Sequence, residues 1–319
     1  MTKGSNVPST VIDSHVHFWD PKCVHISWLE GEPHFNNKRT GEQYVAEIHE
    51  KTQVKAAVYV EVDANPTHGL VEANWITQYA KQFGDNKKNN KPLDSIESTE
   101  KFGGIQAIVA YAPVHQGAQA VDPYLQLLLK LTDERLRGIR YLIQDPTLDP
   151  ERVSSPTFAS GVRTLAKYGL SFDLNINCHV VPAQFPPLIS LVQQCPEVTF
   201  ILDHMAKPPC DATADEPAFK FWQDNMQALA KFPNVYCKVS GLVTETTQWT
   251  VEQLKPFVEV AKNTFGIDRL MFGGDWPIVE NAVSWHTWLE LLSDIVEDWS
   301  NEDKNKLFVE NATRIYRLK

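Results

Sequence analysis

Two histidines near the start of the chain, His15 and His17, are spaced to bind one metal ion together. They follow the apolar, β-branched pair Val11 and Ile12, which is typical of a strand. Because side chains alternate between the two faces of a strand, residues two positions apart project from the same face. Two neutral imidazoles are half of the ligand set of a borderline cation such as Zn²⁺. The spacing predicts a metal site, with a pair of surface histidines as the alternative.

The carboxylate that would complete such a site is Asp275, far away in the sequence. It stands between Gly274 and Trp276, shortly after a second apolar run, Leu270–Phe272. A barrel that brings its first and last strands together would place Asp275 beside the two histidines. We therefore expect a fold that closes in this way.

Short apolar runs alternate with longer amphipathic runs along the whole chain. The strand candidates are Val11–His17, Lys55–Val62, Gly104–Tyr111, Leu136–Ile143, Leu170–Ile176, Val198–Leu202, Val235–Val239 and Arg269–Phe272. The helix candidates are Gly41–Gln53, Gly69–Phe83, Ala118–Leu131, Ser155–Tyr168, Ala183–Gln194, Pro217–Lys231, Val251–Phe265, Ala282–Asp294 and Asn301–Tyr316. This alternation favours parallel strands with right-handed crossovers, and eight units favour a single (β/α)₈ TIM-type barrel over residues 1–319.

Two segments interrupt the alternation. Residues 21–39 are too long for a minimal loop and are expected to form a lid or one wall of a pocket. Residues 85–101 are polar and follow a helix, which predicts a flexible insertion far from the chemistry. A doubly wound open sheet is the alternative fold, but no G-x-G-x-x-G motif follows the first strand.

The composition excludes several classes of function. The net charge is −10 and no Lys/Arg-rich block offsets it, which argues against nucleic-acid or anionic-membrane partners. No apolar run is long enough to span a bilayer. The five cysteines are scattered and odd in number, which favours a reducing compartment, the cytoplasm. We expect a small-molecule substrate; the oligomeric state is unknown at this stage.

Polar residues accumulate where the predicted strands end, which in a barrel is the catalytic face. They are His15 and His17, Glu61 and Asp63, Arg140 and Gln144, Asn175, Asn177 and His179, Asp203, His204 and Lys207, Lys238 and Ser240, and Asp275. Ionisable groups are costly at half-buried positions, so stability alone does not explain this accumulation.

Some of these residues have a structural alternative to a role in the site. His204 is a ligand, a catalytic base or a hydrogen-bonded core histidine. Lys238 binds substrate or forms an ion pair with Glu61 or Glu245. Arg140 binds an anion or carbonyl, or braces the loops.

Five segments, in this order, resemble the amidohydrolase superfamily and, within it, the branch of sugar-acid and pyrone-dicarboxylate lactonases. They are Ile12–Pro21, Gly138–Arg140, Leu202–Pro208, Cys237–Leu242 and Gly274–Pro277. The resemblance implies a distorted amidohydrolase-like barrel that hydrolyses the ester of a sugar-acid lactone, such as L-rhamnono-1,4-lactone or L-fuconolactone. A metal-dependent decarboxylase of the same superfamily and a catalytically silent ligand-binding barrel are the alternatives.

The resemblance also implies a site. His15, His17 and Asp275 match its metal ligands, and Asp275 and His204 are the expected catalytic residues. Arg140 stands near the position where binuclear members carry a bridging Lys or Glu, which argues against two metals. The implied cofactor is one divalent metal, Zn²⁺ first, or none, since pyrone-dicarboxylate lactonases work without one.

The expected substrate contacts divide into polar and aromatic groups. Arg140, Lys238 and His179 would bind substrate oxygens, and His179 stands two residues beyond Asn177, near which the superfamily carries a histidine. The indoles of Trp19, Trp28 and Trp276 would pack against the apolar face of the sugar ring.

Overall fold

The computed structural model describes residues 7–88 and 100–319, in which eight parallel strands form one sheet in chain order. The strands are β1 Thr10–Val16, β2 Gln53–Val60, β3 Ile105–Tyr111, β4 Leu136–Arg140, β5 Ser171–Leu174, β6 Thr199–Leu202, β7 Val235–Val239 and β8 Leu270–Phe272. Every neighbouring pair from β1 to β8 is parallel. With helices between the strands this is the predicted TIM-type barrel.

The helices cover the outside of the sheet. They are α1 Gly41–Glu47, α2 Gly69–Lys88, α3 Ala118–Leu131, α4 Pro156–Arg163, α5 Phe185–Gln194, α6 Pro217–Ala230, α7 Val251–Phe265, α8 Trp285–Ile295, α9 Asn301–Asn305 and α10 Asn311–Ile315. The bounds of α3 and α7 are those predicted from the amphipathic pattern.

The other predicted helices differ from the structure at one or both ends, and three of them show how. The first stops at Glu47 because Gln53 already donates its backbone N–H to Ser9 O at 2.9 Å and begins β2. The segment after α4 continues as a 3₁₀ turn, Thr164–Tyr168. The last predicted helix is α9 and α10 joined by a π-helical turn, Lys306–Glu310. The predicted insertion 85–101 lies largely outside the described residues.

Asp13 joins the two ends of the barrel. Its Oδ1 accepts the backbone N–H of Gly274 at 2.7 Å, and its Oδ2 accepts from the Trp285 indole and the Tyr44 hydroxyl at 2.8 Å each. Burial raises the pKa of Asp13, although these donors oppose the shift. Because Gly274 precedes Asp275, the bond fixes β8 against β1 where the predicted site residues lie.

The opposite end of the barrel is filled. Tyr316, next after α10, is 1% exposed and packs with apolar side chains of the barrel interior, among them Ile12, Val58 and Met271. Chemistry is therefore confined to the carboxyl ends of the strands. No helix in residues 7–88 and 100–319 has the length and apolarity to cross a bilayer.

Candidate active site

Three histidines converge on the carboxylate of Asp275. Its Oδ1 lies 3.7 Å from His15 Nε2, 3.5 Å from His17 Nε2 and 3.9 Å from His204 Nε2. The backbone N–H of Asp275 donates to His15 O at 2.8 Å, which brings the end of β8 onto β1. All four side chains are at most 5% exposed. The structure thus brings together the four residues singled out as ligands and catalytic groups.

The donor atoms of His15, His17 and Asp275 fit one divalent cation. Bond lengths of about 2.0–2.2 Å in a tetrahedral zinc site put neighbouring ligand atoms about 3.3–3.6 Å apart. The two histidine Nε2 atoms are 3.1 Å apart, and their distances of 3.7 and 3.5 Å to Asp275 Oδ1 are close to this range. His17 Nδ1 lies 2.9 Å from Val60 O. Since only a protonated nitrogen can donate to that carbonyl, the neutral ring presents the lone pair of Nε2 to the site.

The charge states of the site favour neutral imidazoles around an ionised carboxylate. Burial, and then the Lys238 charge, lower the pKa of His15 well below its ordinary value. Burial lowers the pKa of His204 to about 4, although the Asp275 charge opposes the shift. Burial would raise the pKa of Asp275, but at acid pH the protonated forms of the neighbouring histidines, His204 first, outweigh it and lower that pKa. Neutral imidazoles and an ionised carboxylate are the forms that metal binding and base catalysis require.

The backbone at the site is held in an unusual conformation. Asp63, His204, Lys207 and Asp275 have φ of 53°, 52°, 48° and 56°, in the left-handed region that non-glycine residues rarely adopt. Gly241 approaches so closely that an added Cβ would lie 2.8 Å from the His204 ring. Such strain collects where a protein holds functional side chains against their local preference.

A buried ion cluster lies beneath His15. Lys238, fully buried, places its Nζ 2.7 Å from Asp173 Oδ2, 2.8 Å from Asp203 Oδ1 and 3.1 Å from His15 Nδ1. Asp203 Oδ1 also lies 3.4 Å from His15 Nδ1. Burial opposes the charge of Lys238, but the two carboxylates outweigh it and raise its pKa. Lys238 therefore forms an ion pair, with partners other than the expected Glu61 or Glu245, and a direct contact with substrate does not fit its position.

Arg140 reaches the site but is already paired. Its Nε donates to Glu61 Oε1 at 2.6 Å, its Nη2 donates to Glu61 O at 2.5 Å, and its Nη1 lies 3.6 Å from Asp203 Oδ2. Although burial opposes its charge, the Glu61 and Asp203 carboxylates raise the pKa of Arg140. The residue braces the ends of β2, β4 and β6.

An open cavity of about 290 Å³ lies over this centre. It is lined by His17, Trp19, Trp28, Val62, Asp63, Arg140, Leu142, Gln144, Asn175, His204, Lys207, Asp275 and Ile278. A few polar groups in an apolar, aromatic setting are typical of a small-molecule site. Within the segment 21–39, Trp28 forms part of the cavity wall.

Two more of the expected substrate contacts lie elsewhere. Trp276 is fully buried, with its ring 5.5 Å from that of Phe18 and 5.4 Å from that of Tyr44. Its ring lies in the aromatic core and does not line the cavity. His179 does not line the cavity, because its Nδ1 lies 3.2 Å from Glu245 Oε2 at the rim.

Four polar residues of the cavity wall received no role from sequence reasoning. They are Asp63, Gln144, Asn175 and Lys207. Each follows a strand by one to five residues, a position that in the sequence groups them at the catalytic face without assigning them a role. What the sequence could not give is which polar residues at the rim turn inward.

The comparisons with known proteins agree with this geometry. The amidohydrolase family model matches residues 12–318. An L-rhamnono-gamma-lactonase of Scheffersomyces stipitis is 26% identical over 97% of this chain and 98% of its own length. An L-fucono-1,5-lactonase of Burkholderia ambifaria is 25% identical over 96% of this chain and 95% of its own length.

A solved structure shares the fold. It is an amidohydrolase of Burkholderia multivorans with bound zinc, 23% identical, with a TM-score of 0.77 over 97% of this chain and 100% of its own. The family match spans nearly the whole sequence, from the first predicted ligands to the last helix. The chain therefore belongs to the amidohydrolase family.

Proposed function

We propose that this amidohydrolase-family enzyme hydrolyses the ester of a sugar-acid lactone. The observation that carries the proposal is the convergence of three imidazoles on the Asp275 carboxylate at the base of an open cavity. The names of two relatives, L-rhamnono-gamma-lactonase and L-fucono-1,5-lactonase, support the substrate class. L-rhamnono-1,4-lactone and L-fuconolactone are the substrates to test first.

Ester hydrolysis needs an activated water, a donor for the carbonyl oxygen and a proton for the leaving alkoxide. In this proposal Asp275 takes the proton of the attacking water and returns it to the ring oxygen as the ester bond breaks. Its lowered pKa keeps it ionised before the reaction begins. A divalent cation held by His15, His17 and Asp275 would polarise the carbonyl and acidify bound water.

His204 is the expected donor to the carbonyl oxygen. Its Nδ1 lies 2.8 Å from Ser240 Oγ. When the Ser240 hydroxyl donates to Nδ1, the proton of the neutral ring sits on Nε2, the nitrogen that faces Asp275 and the cavity. A donor fixed before the reaction begins stabilises the developing oxyanion without reorganisation.

The experiment that tests the proposal is lactonase turnover, followed with a pH indicator on a panel of aldonolactones, before and after chelation. Metal content is measured on protein purified without added metal. About one equivalent of metal and loss of activity on chelation would support His15, His17 and Asp275 as ligands. Full activity without metal would assign the same residues to a base and an oxyanion hole. No turnover of any lactone, with CO₂ released from an aromatic acid, would replace the proposal by a decarboxylase.

We also propose that residues 1–319 form one barrel domain acting in the cytoplasm. The continuous eight-stranded sheet and the five free thiols support this proposal.

A further inference from the structure

Three acceptor groups in the cavity wall have no partner. We call Asp63, Gln144 and Asn175 the acceptor wall; they follow β2, β4 and β5. The buried atoms Gln144 Oε1 and Asn175 Oδ1 find no hydrogen-bond donor among the described residues. The Asp63 carboxylate forms no hydrogen bond or ion pair with any side chain in residues 7–88 and 100–319. Unpaired buried acceptors are costly, so the two amide oxygens imply a ligand that brings donors. The Asp63 carboxylate is exposed at the same cavity and is free to accept from that ligand.

Both cations of the cavity wall already have a carboxylate nearby. Arg140 is bonded to the side chain and backbone of Glu61. Lys207 Nζ lies 3.9 Å from Glu245 Oε1, a carboxylate that is 8% exposed. The amide groups of Gln144 and Asn175 could donate to a carboxylate on the ligand, but the negative charge of Asp63 would repel it. A hydroxyl, which donates, would meet partners.

An aromatic ring stands next to the carboxylate of the wall. The Trp28 indole donates from Nε1 to Val62 O at 2.8 Å, one residue before Asp63. Its ring packs edge-on against Trp19 at 5.5 Å between centroids. This hydrogen bond and the ring contact fix the indole, whose surface suits the apolar C–H face of a sugar ring while Asp63 takes the hydroxyls.

We propose that Asp63 determines specificity, accepting hydrogen bonds from the hydroxyls of a neutral polyhydroxylated lactone and disfavouring lactones that carry carboxylates. This rests on the lactonase function proposed above and adds the substrate class to it. Desolvation in the cavity, and then the Glu61 charge, raise the pKa of Asp63 to about 6, so its selectivity against anions should be fullest above that pH.

Two variants separate the charge of Asp63 from its acceptor. Asp63→Asn removes the charge and tolerates the left-handed backbone, whereas Asp63→Gly removes the side chain and suits the same φ. Glu32→Gln is the matched control, because Glu32 is an exposed carboxylate of the 21–39 segment that does not line the cavity.

The test measures kcat/KM with L-rhamnono-1,4-lactone and with the dianionic 2-pyrone-4,6-dicarboxylate. Asp63→Gly should lower kcat/KM for the neutral lactone about 10–100-fold, mainly through KM, as expected for losing a charge-assisted hydrogen bond. Asp63→Asn should shift the preference toward the dianion, and Glu32→Gln should change neither. Unchanged kinetics in Asp63→Gly, or a wild type that prefers the dianion, would overturn the proposal.

Calorimetry of the binding of both compounds distinguishes failure of the proposed lactonase function from failure of the assignment of Asp63. If the wild type turned over no lactone, the proposed function would fail. Selective binding of the neutral lactone that disappears in Asp63→Gly would still support the assignment of Asp63. Equal binding of both compounds, or binding of neither, would overturn it.

Discussion

Two regions of the same cavity differ in whether their polar side chains have partners within the protein. At the histidine–aspartate end, His15, His17 and His204 face Asp275, and the second ring nitrogen of each histidine contacts another protein group. At the acceptor wall, the polar groups face outward and lack protein partners among the described residues. The reacting groups are therefore positioned before substrate arrives, whereas the wall is completed by the substrate.

The supports behind the two regions also differ. Behind the histidine–aspartate end lie the buried charges of Lys238, Asp173 and Asp203. Behind the acceptor wall lies Glu72, whose Oε1 accepts from the Tyr59 hydroxyl at 2.8 Å and from Val62 N at 2.9 Å. A substitution in either supporting group should therefore perturb one region and leave the other intact.

The largest effect is expected at the histidine–aspartate end. Asp275→Asn removes the base while keeping size and shape, and kcat should fall about 1,000-fold or more. Circular dichroism and the thermal midpoint of the same protein should stay close to wild type. Retention of more than a few per cent of activity would remove Asp275 from the role of base.

The ion cluster beneath that end should control stability. Lys238→Met leaves Asp173 and Asp203 as uncompensated buried charges, and the free energy of unfolding should fall by about 3–5 kcal/mol. Urea denaturation measures the change. Lys255→Met is the control, because its ion pair with Asp298 lies on the surface and should cost less than about 1 kcal/mol. Equal losses in the two variants would mean that the buried cluster does not stabilise the barrel.

The support of the acceptor wall should respond to pH. Burial, and then the Glu61 charge, raise the pKa of Glu72 from 4.5 to about 8. Between these values the folded protein holds a proton that the unfolded chain has lost. This contribution to stability is full below pH 4.5 and is lost as pH rises toward 8, by at most about 1.4 kcal/mol per pH unit.

Glu72→Gln copies the protonated side chain and removes this titration. Urea denaturation between pH 5 and pH 8 should therefore show a smaller loss of stability with rising pH in Glu72→Gln than in the wild type. Parallel pH profiles for the two proteins would show that Glu72 is already ionised in the folded state.

The smallest effect is expected at the amides of the wall. Asn175→Ala removes one acceptor, and kcat/KM for a neutral lactone should fall about 5-fold through KM with kcat retained. Asn177→Ala is the control, since its Oδ1 already accepts from Val180 N at 2.9 Å and it does not line the cavity. A fall in kcat alone for Asn175→Ala would place this residue with the reacting groups.

The sequence predicted the features that depend on periodicity. These are local patterns: eight apolar runs, the His-x-His spacing at the end of β1 and the position of Asp275 after β8. Closure of the barrel brings the histidines and Asp275 together in one site. It could not predict how deep each polar residue lies. Lys238 and Arg140 were expected to reach substrate, but Asp203 and Glu61 compensate them inside the barrel.

The sequence also could not predict the direction of a side chain that follows the end of a strand. Trp276 was expected at the cavity because it adjoins Asp275. Its ring instead packs in the aromatic core against Phe18 and Tyr44. Asp63 turns toward the cavity because its backbone adopts a left-handed conformation, which no local pattern of apolar residues signals.

The bonds of Asp13 have a consequence for biosynthesis. Its acceptor oxygens bind groups 261 and 272 residues further along the chain, at Gly274 and Trp285. During translation the first strand emerges from the ribosome long before these donors are synthesised. Until then, the Asp13 carboxylate can bind only water or the Tyr44 hydroxyl. The ring of strands can close only when nearly all of the polypeptide has been made, which leaves β1 exposed to chaperones until the end of synthesis.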